Sequence, residues 1–398
     1  MMRWLEIAGE RVAADSPDLR SRLAGVHGAQ SRPLCLCRAD GVPMYVARSN
    51  GSVILKRMPL TGPEHDPACE SYEPPAELSG RGEVQGSAID EDAAEGVTRL
   101  KLDFSLSKRG QRAAAPAGEV AGEAARTDGA KLTLRGLLHF LWEEAELNHW
   151  SPGMAGRRSW AVVRHRLTEA AANKATKNAV LAERLFVPET FAAERKAEIA
   201  ERRATALKPL SGGDGATRSL MVLIGEVKEI APARFGHKLV VKHLPDMPLM
   251  LAEDMHRRLR TRFAAELELA DGIAGSHLLA IATFGRGATG IAAVEEIALV
   301  STTEQWVPIE HAYDAALVSG LARSGVRFVK GLRYNLAKSR PLASVVLPAT
   351  RPRPTALYVI PPGADDAYRA ALAELSAASD LAPWVWDGDA GMPPLPCH

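Results

Sequence analysis

The sequence predicts a mixed α/β, or α+β, multidomain fold, and three observations carry that expectation. Short alternating strands fill the first hundred or so residues, an apolar stripe at helical spacing begins at Leu132, and the elements after residue 305 run helix, three strands, helix, strand. At 398 residues the chain is long enough for two or three domains with a substantial core. Its 49 Lys and Arg balance 48 Asp and Glu, so no global field selects nucleic acid, membrane or an acidic substrate, and any charge argument has to be local. The N-terminus MMRWLEIAGERVAADSPDLR carries charges where a signal peptide has an apolar run, and no apolar stretch approaches the length of a membrane span. A cytoplasmic protein with no membrane partner is expected.

Residues 1–106 form a β-rich domain. Strands over 44–49 and 53–58 meet at Ser49-Asn50-Gly51, a pair suited to the positive backbone dihedrals of a tight hairpin, and residues 98–105 alternate as a strand with one wet face. Residues 107–130, rich in Ala, Gly, Arg and Glu, read as a flexible linker. A helical block follows over 131–210: Leu134, Leu137, Leu138, Leu141 and Trp142 share one face, 159–174 repeats the pattern, and 190–208 is charged and helix-prone. The Ser211-Gly212-Gly213-Asp214-Gly215 loop marks a boundary. Residues 218–305 read as a ββαββ unit, with strands over 220–224, 238–242, 277–284 and 291–301 and a helix over 252–270. The last domain, 306–398, reads as αβββαβ, with helices over 313–324 and 365–378 and strands over 328–334, 344–347, 355–360 and 384–386.

Of the four cysteines, three crowd between positions 35 and 69, while Cys397 stands apart. That is no disulfide framework, and in a reducing compartment such clustering favours a metal. Cys35-Leu36-Cys37 and His65-Asp66-Pro67-Ala68-Cys69 bracket the hairpin, giving a zinc-ribbon-like module over 31–75. Three thiolates and a neutral imidazole complete a tetrahedral zinc site with no position left for substrate, so Cys35, Cys37, His65 and Cys69 are expected to hold a structural ion.

The segments RPLCLCRADGVPMYVARSNG, HDPACESYEPP, LKLDFSLSKRG, RGLLHFLWEEAELNHW, GEVKEI, GHKLVVKHLP and RFVKGLRYN resemble a bacterial family of uncharacterised proteins marked by three N-terminal cysteines, matched here by Cys35, Cys37 and Cys69. The resemblance spans nearly the whole chain. Members occur largely on plasmids and integrative conjugative elements of proteobacteria, which implies a gene of mobile DNA and points toward nucleic acid without locating a site.

The sharpest catalytic candidate is the apolar run ending in Glu226-Val227-Lys228, because restriction-endonuclease-like folds present a Mg²⁺-binding carboxylate and a lysine in that pattern. The earlier acid such a site needs would be Asp214, which lies in the Gly-rich loop. The C-terminal αβββαβ order resembles the same nuclease core, yet its strands lack the acids and lysine, as a degenerate copy would. Two basic runs could bind DNA or RNA. One comprises Arg157, Arg158, Arg164, Arg166, Lys174, Lys177 and Arg184, flanked by Trp150 and Trp160; the other comprises Arg327, Lys330, Arg333, Lys338 and Arg340. His237, His243 and His256 receive no role, and Gly285 to Gly290 reads as a turn. The expectation is a zinc-stabilised, nucleic-acid-associated accessory protein without catalysis of its own; a metal-dependent nuclease using Glu226 and Lys228, or a protein-interaction scaffold, are the alternatives.

Overall fold

Two antiparallel hairpins joined by a short strand build the first sheet. The computed structural model describes residues 3–29, 31–49, 51–109, 129–177, 179–211, 217–287 and 290–396. Strands β1 (Trp4–Ile7) and β2 (Glu10–Ala13) precede α1 (Leu19–Val26), and β3 (Leu34–Cys35) links β1 to β4 (Val42–Ser49), which pairs with β5 (Ser52–Arg57). Leu5, Ile7, Val12, Met44 and Leu23 of α1 make a small core beneath this sheet. The expected hairpin is present, and Gly51 at its turn has φ of +76°, a dihedral L side chains rarely adopt. Asn50 lies outside the described residues.

After α2 (Arg81–Val84), strands β6 (Ile89–Asp92) and β7 (Val97–Leu100) form a second hairpin. The strand expected over 98–105 ends at Leu100, because the chain then leaves β6 for the segment ahead of the next helix: Leu132 N–H donates to the Lys101 carbonyl and Asp103 N–H to the Leu132 carbonyl. The expected linker begins as β8 (Ser107–Arg109) and ends with Gly129 buried so tightly that an added Cβ would lie 2.3 Å from the Glu83 carbonyl oxygen. Residues 110–128 lie outside the described residues.

Helix α3 (Leu134–Glu144) starts where Thr133 accepts the Gly136 N–H, and its apolar stripe is buried. It is followed by β9 (His149–Trp150), α4 (Trp160–Ala171), β10 (Lys174–Thr176), β11 (Leu185–Phe186), α5 (Lys196–Ala206) and β12 (Thr217–Ser219), the last paired with β8. The helices fall where the stripes place them. The block does not close on itself, however, since β10 joins β7 and β9 and β11 enter two later sheets.

The unit expected as ββαββ has one more strand and closes into a barrel. Strand β13 (Met221–Pro232) pairs along its first half with β16 (His277–Arg286) and along its second half with β14 (His237–Val241). Strand β14 pairs with β15 (Leu249–Leu251), β15 runs parallel to β17 (Ala292–Thr302) at Met250 and Ala293, and β17 pairs with β16. The ring order β13-β14-β15-β17-β16, with α6 (Glu253–Arg262) and α7 (Ala264–Gly272) between its third and fourth strands, is that of an OB-type barrel. A β-bulge between Val227 and Glu229 lets β13 bend from one partner to the other. The single helix expected over 252–270 breaks at Phe263, whose φ and ψ are −113° and 29°.

The αβββαβ order is present after β18 (Pro308–Ile309): α8 (Ala312–Arg323), β19 (Phe328–Lys330), β20 (Val345–Leu347), β21 (Thr355–Ile360), α9 (Asp366–Ala377) and β22 (Ala382–Asp387). The sheet runs β22-β21-β20-β19-β9, with β21 parallel to β22 and β19, β20 and β21 antiparallel. The strand expected over 328–334 stops at Lys330, because the following residues cross to α3: Asn335 accepts from Thr133 and Arg135 donates to the Tyr334 carbonyl. Among the described residues no helix is long and apolar enough to cross a membrane.

Candidate metal centre

Strand β3 carries Cys35 between β1 and β4, and the turn after it carries Cys37. Opposite them, His65 ends a short 3-10 turn and Cys69 closes the next turn by donating its N–H to the Asp66 carbonyl, 2.7 Å away. This folding brings together all four residues the sequence singled out, with ligand atoms within 4.8 Å of one another. Cys35 and Cys69 sulfurs are 3.7 Å apart, and His65 Nδ1 lies 3.3 Å from Cys37 Sγ and 4.0 Å from Cys69 Sγ. Zn–S bonds of about 2.3 Å in a tetrahedron set neighbouring sulfurs about 3.8 Å apart, so the spacing fits such an ion. The cysteines are free rather than bridged, and His65 is fully buried.

The backbone favours thiolates. Asp66 N–H points at Cys37 Sγ and Ser71 N–H at Cys69 Sγ, each at 3.4 Å. The hydrogen bond shared between Cys35 and Cys69 holds the Cys35 thiol down to about 3 and, together with burial, pushes that of Cys69 up. Burial pushes the Cys37 thiol up as well. A divalent cation bound by all three sulfurs removes this competition for one negative charge.

Arg327, expected in a nucleic-acid-binding run, and Glu73, to which sequence reasoning assigned no role, fasten this centre to the rest of the molecule. Arg327, ahead of β19, donates to the carbonyls of Ala68 and Cys69 at 3.4 and 3.3 Å. Glu73 receives His149 Nε2 of β9 at 2.9 Å and Arg57 Nη2 of β5 at 3.1 Å. These contacts border a cleft of about 610 Å³ whose lining includes Arg166, Arg327 and Lys330, so members of both basic runs meet there.

Neither basic run is one continuous surface. Arg157 and Arg166 are exposed, but Arg158 turns inward to the carbonyls of Leu147, His149 and Gln305, and burial brings its guanidinium down to about 10. Arg164 donates to the Val187 carbonyl. Lys330 is 2% exposed and sits 3.3 Å from Asp314, while Arg333 is buried against Glu310 and the carbonyls of Ala337 and Arg340. The flanking tryptophans are buried, Trp150 stacked on Phe328 and Trp160 on His243. As an outward patch, the Arg327 to Arg340 run is therefore corrected: its central cations neutralise internal carboxylates.

The Glu226 and Lys228 pairing is also corrected. Lys228 occupies the bulge of β13 and is exposed, whereas Glu226 is buried, 2.8 Å from His277 Nδ1, 3.0 Å from Lys242 Nζ and 3.9 Å from His243 Nε2. Burial opposes its ionisation, but His277 and Lys242 outweigh that and hold the carboxyl below its usual range. Asp214 and Cys397 lie outside the described residues. A second constellation was missed: His237, Glu253 and His256 bring three ligand atoms within 4.8 Å of one another. The i, i+3 spacing of Glu253 and His256 was visible, but the approach of His237 depends on strand register.

Residues 5–388 match the model of the family described as Protein of unknown function (DUF1173), and the chain belongs to that family. No curated protein and no solved structure matches it.

Proposed function

From membership of the DUF1173 family and the two sites above, we propose a zinc-stabilised accessory protein that binds single-stranded nucleic acid on its OB-type barrel and performs no catalysis. The observation that carries this reading is the character of the barrel's loops. Between β13 and β14, Phe235 is 78% exposed with the Arg234 guanidinium 5.4 Å from its ring centre. Between β16 and β17, Ile291 is 52% exposed beside the exposed Arg286. In OB barrels these two loops flank the ligand-binding face, and an exposed aromatic with a cation stacks a base while neutralising its phosphate. The inference from barrel to ligand is an analogy of fold, strengthened by these side chains.

Zinc is the ion that best fits three thiolates and an imidazole in a closed four-ligand set, which stabilises a fold and leaves no position for substrate. The non-catalytic reading is supported by the C-terminal sheet: its order suits a restriction-endonuclease-like core, yet β20 and β21 contain no acid or lysine, so no divalent ion would be held there. Free cysteines suit the cytoplasm. Service to mobile DNA follows from the family resemblance given above.

Anisotropy of a labelled single-stranded oligonucleotide tests the barrel. Affinity should fall with rising salt, and Phe235→Ala should weaken it by about 5- to 150-fold, the equivalent of about 1–3 kcal/mol for one stacked base. Arg234→Ala should reduce the salt slope by about one. Absence of binding at low salt, or indifference to Phe235→Ala, rejects the reading.

A further inference from the structure

We infer that His237, Glu253 and His256 form a second metal centre, a three-ligand site for a divalent cation of the zinc class that keeps one coordination position open. This inference does not depend on the barrel's proposed ligand.

The fold assembles the three donors from two directions. In the antiparallel register of β14 and β15, His237 stands opposite Leu251, and the chain enters α6 two residues later at Glu253. Glu253 and His256, three apart in the first turn, project from one face of that helix. Gly236 permits the close approach: its φ is +74°, and a Cβ there would lie 2.4 Å from the Leu251 carbonyl oxygen. A side chain at 236 would push His237 away from the helix.

The resulting geometry suits a cation. The two imidazoles stack with ring centres 3.5 Å apart and planes 18° from parallel, one nitrogen of each lies within 4.8 Å of the other and of a Glu253 oxygen, and a modest rotation of the rings out of the stack turns both in-plane lone pairs onto one ion. His237 Nδ1 lies 3.3 Å from Glu253 Oε2 but makes no hydrogen bond to any protein group, although it is buried. Buried imidazole nitrogens ordinarily have a partner, and a lone pair left facing a carboxylate and a second imidazole is placed to bind an ion.

The donor set names the class. Two imidazoles and one carboxylate suit zinc and its neighbours, whereas calcium and magnesium prefer oxygen ligands throughout. His237 and His256 are half-buried and Glu253 is exposed, so the fourth position faces solvent. The contrast with the four donors of Cys35, Cys37, His65 and Cys69 is that between a closed structural centre and an open one able to bind water or an anionic group.

The test is titration of the full, zinc-loaded chain with Co²⁺, read by visible absorption. One additional equivalent should bind with the weak bands of a nitrogen and oxygen site and without the near-ultraviolet band of cobalt thiolate. His256→Asn and Glu253→Gln should each weaken that binding by about tenfold or more, while zinc retained at the cysteine site stays constant. Both side chains reach solvent, and unchanged melting of the two variants verifies that the fold survives. No additional bound cobalt, a thiolate band alone, or affinity unchanged in both variants overturns the inference.

Discussion

Replacing Glu73 by Gln keeps the shape of the side chain that ties the segment carrying His65 and Cys69 to β9 and removes its charge. Its carboxylate is 12% exposed, 2.9 Å from His149 and 3.1 Å from Arg57. Burial opposes ionisation, but His149 and then Arg57 outweigh it and bring the carboxyl from 4.5 down to about 2. At about 1.4 kcal/mol per pH unit, that depression contributes about 3 kcal/mol to the folded state near neutrality. Because the folded pKa is the lower one, the unfolded chain takes up the proton first on acidification. The contribution is therefore complete above about pH 4.5 and lost as pH falls toward about 2. His149 has the opposite sign: burial lowers its pKa, Glu73 more than restores it, and the raised value makes its stabilisation full in acid and lost as pH climbs through it. The attraction between the two is a single energy and is counted once. Urea unfolding of wild type and Glu73→Gln should show a gap of about 3 kcal/mol near pH 6 that narrows by about 2 kcal/mol near pH 3. A gap below about 1 kcal/mol near pH 6, or one that does not narrow in acid, refutes the reasoning.

Two further perturbations address the interior. Chelation of the cysteine-bound ion should lower the melting temperature in calorimetry, reversibly on adding Zn²⁺, since structural zinc supplies about 10–16 kcal/mol of binding energy to small domains; melting unchanged by a strong chelator that has removed the metal would count against a structural ion. Glu144→Gln should cost about 3–5 kcal/mol in urea unfolding, because Lys174 and Lys56, at 2.6 and 2.7 Å from that carboxylate, lose their counter-charge. Lys174→Met should cost much less, because Glu144 then retains Lys56 and Arg81, and equal costs for the two variants would reject this account.

The cluster of Cys35, Cys37, His65 and Cys69, which could hold a metal ion, was legible because its residues come as two tight pairs around a hairpin, and both the turn at Gly51 and the four residue types can be read locally. The αβββαβ order was legible for the same reason, since each element carries its own period. The barrel was not. Its closure depends on β13 meeting β16 across fifty residues, and β15 is only three residues long, too short to show an alternation. The basic runs misled because a charged residue type does not announce its direction: Lys330 ends a strand whose three residues are all buried, and its partner Asp314 lies on a helix sixteen positions earlier. Glu226 was singled out as a metal-binding carboxylate beside Lys228. Its partners are Lys242, just past the end of β14, and His277 of β16, however, and the bulge carries Lys228 away.

The buried charges explain how separately formed sheets are held in one arrangement. Glu143 and Glu144 end α3, and around them gather Arg81 from α2, Lys56 from β5, Lys174 from β10 and the Tyr334 hydroxyl from the chain leaving β19. Each comes from a different element, so the two carboxylates are satisfied only when the first sheet, the second hairpin and the C-terminal segment all sit correctly. Such networks add little net stability, because desolvation offsets much of their attraction, but a misplaced element leaves a buried charge without a partner. The apolar contacts of α3 against β16 and β17 contribute burial, a driving force without direction. The carboxylate pair thus specifies the docking that burial drives, and Arg327 and Glu73 extend that specification to the cysteine and histidine cluster.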